Sequence, residues 1–186
     1  MTDVYIQKVL EGDTDAFRFI IREHKDKAYS LAISVVKDEF EAREVVQTAF
    51  IKAYTKLDTF KANSRFDTWF YRILINEAFY KLRKLKVNPI PLDNVIISDI
   101  PSGVNSTILK MEEDYQRYYI NEALKKLPAN YSLALRLFYL EEYKINEITQ
   151  ITGWTDSNTK ITLHRARIKM KKILTDLFNL DKEEMY

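Results

Sequence analysis

The sequence predicts an all-α protein made of two small helical domains joined by a flexible linker. The chain of 186 residues has only three Gly and four Pro, and apolar residues recur through most of it at the spacing of amphipathic helices. Residues 87–106 interrupt that pattern with three of the four Pro and no Lys or Arg. The predicted division is therefore residues 1–86, a linker at 87–106, and residues 107–186. Because the linker lacks helical periodicity, we expect it to leave the orientation of the two domains unfixed.

Three amphipathic helices are predicted for the first domain. Asp13 is the expected N-cap of a helix that runs to about Val36. A second helix follows, and Ser64 is positioned to cap a third. The three apolar stripes are Phe17, Ile20, Ile21, Ala28, Leu31, Ala32 and Val35; Ala42, Val45, Val46, Ala49, Phe50, Ala53 and Leu57; and Phe66, Phe70, Ile73, Leu74, Ala78, Leu82 and Leu85. Helices with single stripes bury them against one another, which predicts a small bundle.

Helical periodicity resumes in the second domain at residues 108–127. Pro128 suits the first position of the next helix, which we expect to end near Leu140. A short helix is predicted at Lys144–Ile151, and Gly153 follows it at a position suited to a left-handed C-cap. The second domain is therefore predicted to be helical throughout.

A long basic helix follows the glycine, and Asp156 or Ser157 can cap its start. A short helix, a glycine turn and a long basic helix make up a helix-turn-helix, whose second helix enters the major groove of DNA. The residues placed to face the groove lie near the N-terminus of that helix: Ser157, Asn158, Lys160, Ile161 and Thr162. Those better placed for phosphates follow them: Arg165, Arg167, Lys169 and Lys172.

The formal net charge of +2 hides two basic segments. Residues 60–86 hold seven Lys and Arg against two acids, and residues 157–175 hold six Lys and Arg and no acid. A solvated amphipathic helix is the alternative for the second segment, but such faces ordinarily mix both signs of charge. Two cationic helices on separate domains indicate a protein that binds a polyanion at two sites.

Cations and aromatic rings alternate along one face of the third predicted helix. Its members recur every three or four residues: Arg65, Trp69, Arg72, Asn76, Tyr80 and Arg83. Arg contacts phosphates, while Trp and Tyr offer surfaces on which unstacked bases can rest, so the face suits single-stranded or melting DNA. The turn before the helix adds polar side chains and a ring, from Asn63, Ser64 and Phe66. The alternative is that Trp69 and Tyr80 are half-buried core residues.

Composition disfavours several classes of function. The absence of Cys excludes disulfides, thiolate zinc sites and Cys nucleophiles. Two distant His residues do not suggest a metal site, and we expect His24 to pack in the core. The sequence contains no Gly-rich phosphate loop, no signal-peptide pattern and no run of about 20 apolar residues. We therefore expect a cytoplasmic protein that is not an enzyme, needs no cofactor or metal and does not insert into a membrane.

Three stretches of this sequence resemble the extracytoplasmic-function sigma factors, which are small members of the sigma-70 family. The stretch FKANSRFDTWFYRILINEAFYKLRK is similar to region 2, which reads the −10 element and melts the promoter. The preceding EAREVVQTAFIKAYTKLDTF is similar to the helix of region 2 that binds core RNA polymerase. The helix-turn-helix with its LHRAR run resembles region 4, which reads the −35 element. The resemblance covers most of residues 13–175 in the expected order.

The resemblance implies a factor without an active site that binds core RNA polymerase, recognises −10 and −35 elements and promotes melting. It implies that Glu44, Val45 and Gln47 face the clamp helices of the largest polymerase subunit. Spacing agrees in part, because one stripe lies opposite the predicted core: Glu44, Gln47, Thr48 and Ile51. The further implied partners are the polymerase flap, promoter DNA and an anti-sigma factor.

The resemblance also implies roles for individual DNA-binding residues. The loop Lys61–Arg65 with Phe66 would hold a flipped non-template base, Asn76 would contact −10 bases, and Lys160 and Arg165 would bind the −35 element.

Some residues depart from the family pattern. Thr48 replaces a usual acid, Tyr80 replaces a frequent Asp, and Ser157-Asn158 replaces a common Gly-Thr. Because of this last difference, the resemblance does not indicate which −35 bases the chain reads. The alternative function is a stand-alone helix-turn-helix regulator that binds duplex DNA as a dimer.

Overall fold

The computed structural model describes residues 2–61, 65–87 and 108–184, and all regular structure in these ranges is helical, as predicted. The helices are α1 (Thr2–Leu10), α2 (Phe17–Val36), α3 (Glu39–Thr55), α4 (Phe66–Val87), α5 (Ile108–Lys126), α6 (Ala129–Leu135), α7 (Ile145–Thr152) and α8 (Asp156–Glu184). Residues 88–106 of the predicted linker lie outside the described residues, as do Asn63 and Ser64. In the part that is described, no helix is both long and apolar enough to cross a membrane.

Polar caps set the boundaries of the first helices. The Oδ1 atom of Asp13 accepts a hydrogen bond of 3.2 Å from the Ala16 N–H, but it caps a 3₁₀ turn that precedes α2. Helix α2 therefore begins at Phe17, later than predicted, and ends at Val36 as expected. Asp38 caps α3, because its Oδ1 accepts from the Glu41 N–H at 2.9 Å. Helix α1 has no counterpart among the helices that the sequence predicts.

The helix predicted from Pro128 to Leu140 is divided in two. Pro128 is the N-cap of α6 instead of its first residue. Helix α6 ends at Leu135, and Arg136–Leu140 form a π-helical turn. The Tyr143 N–H then donates to the Leu137 carbonyl at 2.9 Å, which directs the chain towards α7.

Helices α2, α3 and α4 pack as a three-helix bundle around the predicted apolar stripes. Most stripe residues are buried, and Ile20, Leu31, Ala49, Phe70 and Leu74 are fully enclosed. Ile21 is exposed, with 37% of its surface accessible, and Val46, Ile73, Leu82 and Leu85 are half-buried. His24 is 4% exposed, which confirms its prediction as a core residue.

The second domain packs directly against the first, contrary to the expectation of an unfixed orientation. Leu133 and Leu137 belong to the same hydrophobic core as the α2–α4 bundle, together with Tyr143, Ile148 and Ile151 of the second domain. We call the contact of α2 and α4 with α6, the π-helical turn and α7 the seam. A smaller core lies within the second domain, where Leu163 and Ala166 of α8 pack against Leu124, Leu127, Ala134 and Leu135.

Two lysines of α2 and its C-cap cross the seam. The ammonium of Lys27 lies 3.1 Å from the Glu141 carboxylate and 5.2 Å from the centre of the Tyr143 ring. Lys37 adopts a left-handed conformation with φ of 64°, and its Nζ donates to the Leu124 carbonyl at 2.6 Å. The seam therefore combines an apolar centre with charged contacts at its margin.

Lys37 should make the stability of the fold depend on pH. Burial, and secondarily the charge of Arg136, lower the pKa of Lys37 from 10.5 to about 8. Since the fold disfavours the charged form, the free energy of unfolding should rise as pH increases from about 8 towards 10.5. Between pH 7 and 9.5, the free energy of unfolding of the parent should rise by about 1 kcal/mol more than that of a Lys37→Met variant, a value that allows for solvent screening. Urea unfolding at the two pH values measures the difference.

The comparison with Lys37→Met also removes other titrations from the measurement. Burial raises the pKa of Tyr71 and of Tyr143, and both proteins retain these tyrosines. If the two proteins gave parallel stability profiles between those pH values, Lys37 would not be the source of the dependence.

Candidate DNA and polymerase interfaces

Helix α4 presents the predicted cation–aromatic face to solvent. Arg72, Asn76, Tyr80 and Arg83 are exposed and Trp69 is half-buried, while Arg65 is exposed just before the helix. The opposite side of α4 enters the core through Phe70, Leu74 and Ala78, which fixes the direction of the exposed face. Lys84 was not predicted to belong to this face, but its ammonium lies 4.7 Å from the centre of the Tyr80 ring. A hydrogen bond to Tyr80 raises the pKa of Lys84.

Aromatic rings form a cluster at the start of α4. The Phe66 ring is 3% exposed and stacks on Phe70 at 5.9 Å between centroids. Phe60 and Trp69 cover it, with centroids 5.7 and 5.6 Å away. The prediction that Phe66 itself receives a base does not fit this burial. Its side chain points back into the bundle from the first turn of α4, so the more accessible rings are Phe60 and Trp69.

Arg65 and Asp67 connect this cluster to the core. The guanidinium of Arg65 bonds the Asp67 carboxylate at 3.0 Å. Asp67 also lies 3.8 Å from Nδ1 of His24, which is 3.1 Å from the Tyr71 hydroxyl. Burial lowers the pKa of His24 despite the neighbouring carboxylate of Asp67. The predicted loop residue Lys61 is exposed.

One side of helix α3 faces solvent. The predicted contact residues Glu44, Gln47 and Ile51 are exposed, and Ile51 shows 57% of its surface. Val45 is only 2% exposed because it belongs to the apolar stripe of the bundle. The prediction of a direct polymerase contact for Val45 therefore does not fit the structure.

Two aromatic residues extend this exposed side beyond the predicted set. Phe40 is 68% exposed and Tyr54 is 40% exposed. Because an α-helix turns 100° per residue, both lie within the arc that also holds Glu44, Gln47 and Ile51. We call these five residues the α3 face. Spacing could have identified Phe40, which stands 11 residues before Ile51.

Helices α7 and α8 form the predicted helix-turn-helix. Gly153 has φ of 74°, and its N–H donates to the Thr149 carbonyl at 2.9 Å. Thr155, and not Asp156 or Ser157, caps α8, because its Oγ1 accepts from the Asn158 N–H at 3.1 Å. The sequence predicts that Ile145, Ile148 and Ile151 point inward from α7; Ile148 and Ile151 are fully buried, while Ile145 is half-buried.

The outer face of α8 exposes most of the predicted DNA-binding residues: Ser157, Asn158, Lys160, Ile161, Arg165, Arg167 and Lys169. Thr162 is 5% exposed and donates to Oδ1 of Asn158 at 3.3 Å, so its predicted groove contact does not fit. Its position faces the second-domain core. Ile161 and Ile168 are 49% and 60% exposed, so neither side chain packs in the core.

An apolar groove lies beside this face. It has a volume of about 480 Å³ and runs between α5, the π-helical turn and α8. Its walls include Leu124, Leu135, Tyr139 and Met170, with Arg167 and Lys171 as its cations. The Arg167 guanidinium lies 5.7 Å from the centre of the Tyr139 ring. Arg167 therefore lies on the groove side of α8, at the margin of the predicted phosphate-binding face.

Comparisons with known proteins identify the family of the chain. Residues 20–87 match the family description "Sigma-70 region 2", and residues 117–170 match "Sigma-70, region 4". The chain is 31% identical to the ECF RNA polymerase sigma factor SigW of Bacillus subtilis, across 92% of this chain and 96% of that protein. It is 33% identical to SigV of the same organism, across 83% and 89%. The chain belongs to the extracytoplasmic-function sigma factors of the sigma-70 family.

Solved structures share the fold. The structure of CnrH in complex with the cytosolic domain of CnrY has a TM-score of 0.63 at 18% identity, covering 93% of this chain and 96% of that one. The sigma factor RpoE in complex with the anti-sigma factor NepR from Bartonella quintana has a TM-score of 0.65 at 23% identity, covering 86% and 96%. At these identities the likeness concerns the fold.

Proposed function

We propose that this sigma factor binds core RNA polymerase through the α3 face, melts and reads the −10 element through α4, and reads the −35 element through α8. The observation that carries the proposal is the separation of three exposed surfaces on three helices. Helices α3 and α4 lie within the match to region 2, and the exposed N-terminal half of α8 lies within the match to region 4. The chain supplies binding surfaces and no active site, and it works in the cytoplasm where core polymerase is present.

Each surface suits its proposed partner. The α3 face combines exposed apolar anchors with Glu44 and Gln47, which suits the clamp helices of the largest polymerase subunit. The face of α4 places cations beside Trp69 and Tyr80, which suits unpaired bases and their phosphates. The apolar groove beside α8 suits the polymerase flap. An anti-sigma factor is the proposed regulator, and the complex of the fold relative RpoE with the anti-sigma factor NepR supports this.

Replacing Asn76 with Ala should reduce open-complex formation on duplex promoters by about tenfold, since a lost base contact costs about 1–3 kcal/mol. A template with a mismatched −10 region should restore part of the activity, because its bases are already unpaired. Permanganate reactivity of −10 thymines and runoff transcription with core polymerase measure both effects.

Asn121→Ala is the matched control, because Asn121 is exposed on α5, outside the proposed DNA surfaces. Equal activity of the Asn76 variant and the parent on duplex promoters would remove Asn76 from the −10 surface. Specific binding of the free chain to palindromic duplex as a dimer would contradict the sigma mechanism as a whole.

A further inference from the structure

Two arginines of α2 form an exposed group that none of the surfaces described above includes. Arg18 and Arg22 are exposed, and their guanidinium carbons lie 5.0 and 5.2 Å from the centre of the Phe19 ring. The Tyr5 ring of α1 stacks on Phe19 at 4.7 Å between centroids and 15° between planes. Tyr5 therefore covers part of the Phe19 ring and leaves the remainder to the two cations. We call these four residues the α1–α2 cluster.

The two guanidiniums of the cluster have no counter-charge. Arg18 and Arg22 stand four residues apart, so they occupy neighbouring positions on one helix face and repel each other. Among the described residues neither forms an ion pair, although Asp26 follows Arg22 at the spacing of helical ion pairs. Arg65, by contrast, bonds the Asp67 carboxylate. An exposed pair of unneutralised arginines on one ring is suited to bind an anion such as phosphate.

The cluster lies at the end of the bundle where α4 begins. Helix α1 is anchored there through Ile6, which is buried in the bundle core. It contacts the 3₁₀ turn Leu57–Thr59, and Phe60 follows that turn directly in the chain. The Phe60 ring packs edge-on against Phe66 at the start of α4. The α1–α2 cluster and the aromatic cluster of α4 are therefore carried by elements that touch one another.

DNA opened at α4 continues past this end of the bundle. In the function proposed above, α4 and the accessible rings of Phe60 and Trp69 hold unpaired bases of the −10 element. The opened strand extends from there towards the start site. Neighbouring helices of a bundle pack about 8–10 Å apart, which brings α1 and the first turns of α2 within reach of the next phosphates of that strand.

We propose that the α1–α2 cluster binds the phosphate backbone of the unpaired promoter DNA that continues past the start of α4. The proposal rests on the function proposed above and adds a contact to it. Arg18 and Arg22 neutralise phosphates, while Phe19, held by Tyr5, keeps both guanidiniums on one side of α2. Because the contact is made to the backbone, it is independent of base sequence. It stabilises the opened state and does not read the promoter.

An Arg18→Ala, Arg22→Ala variant tests this contact in the holoenzyme formed with core polymerase. The template is mismatched from the −10 element to the start site, so that its strands are already open. We expect the variant holoenzyme to bind this template about tenfold more weakly than the parent, and pre-opening should not rescue the defect. Each phosphate contact to a single strand contributes about 0.7 to the slope of log affinity against log salt, so the slope should fall by about 1.4. Anisotropy of labelled template in a KCl series measures both effects.

Two further variants separate the contact from net charge. Lys125→Ala, Lys126→Ala removes the same charge from exposed positions on α5, and it should leave the affinity and the slope unchanged. Arg18→Lys, Arg22→Lys keeps both charges and should restore most of the slope. Methylphosphonate, an uncharged analogue of phosphate, gives the complementary measurement. At the contacted linkages it should weaken binding by the parent holoenzyme and have no further effect on the holoenzyme that lacks both arginines.

Two results would overturn the proposal. A salt slope equal to that of the parent would show that the arginines do not contact phosphates. Weaker binding of the Arg18→Ala, Arg22→Ala variant to core polymerase, which we expect to be unchanged, would place the cluster on an acidic polymerase surface instead. The Asn76→Ala variant distinguishes this failure from failure of the proposed function. If only Asn76→Ala is defective on duplex promoters, the α1–α2 contact is wrong; if neither variant is defective, the function proposed for α4 is wrong as well.

Discussion

A double Phe40→Ala, Ile51→Ala variant is expected to bind core polymerase about 10- to 100-fold more weakly than the parent. These side chains are 68% and 57% exposed, and they flank Glu44 and Gln47 on one side of α3. Large apolar anchors at the centre of an interface commonly account for 1–2 kcal/mol each. Titration of labelled protein with core polymerase measures the change.

The folded state should be unaffected by the same double substitution, because neither side chain is buried. Ile168→Ala is the matched control, since Ile168 is 60% exposed on α8 and lies outside the α3 face. A double variant that binds polymerase as tightly as the parent would show that another surface provides the affinity.

Phe70→Ala is expected to lower the free energy of unfolding by about 3–5 kcal/mol. The ring is fully buried and stacks on Phe50 at 4.6 Å and on Phe66 at 5.9 Å between centroids. Its removal leaves a cavity beneath the aromatic cluster that supports the start of α4. Urea or thermal unfolding measures the loss.

Phe40→Ala is the control for this second experiment, because it deletes the same side chain at an exposed position. It should change the free energy of unfolding by less than about 0.5 kcal/mol. If Phe70→Ala lowered the free energy of unfolding by less than about 1 kcal/mol, the aromatic cluster would have to collapse to fill the cavity.

Helical periodicity was sufficient to predict most of the first bundle and the helix-turn-helix. Each of these elements buries a single stripe, so local spacing and tertiary burial agree. The C-cap at Gly153 was also predictable, because φ of 74° favours a residue without a side chain. The π-helical turn after Leu135 was not, since its extra residue per turn is selected by packing and leaves no distinct spacing in the sequence.

The sequence did not predict that the two domains share one core, because that core also depends on tertiary packing. Tyr71 and Ile75 are buried on a part of α4 that lies beside the predicted stripe, and they pack where the second domain approaches. The signal in the sequence was that the apolar stripe of α4 is broader than packing within one bundle requires. The exposure of candidate site residues was predicted best where they project from helices, as Arg72 and Arg165 do. Phe66, Val45 and Thr162 were misplaced because position in a motif does not distinguish a supporting residue from a contacting one.

The shared core also has a consequence for synthesis of the chain. The first domain is complete once Val87 has been made, but its partners Leu133, Leu137, Ile148 and Ile151 come about 45 to 65 residues later. At roughly 5–20 residues per second, the apolar surface of α2 and α4 stays uncovered on the ribosome for several seconds. The nascent first domain should accordingly be a chaperone client during that interval, and residues 1–87 produced alone should aggregate more readily than the full chain.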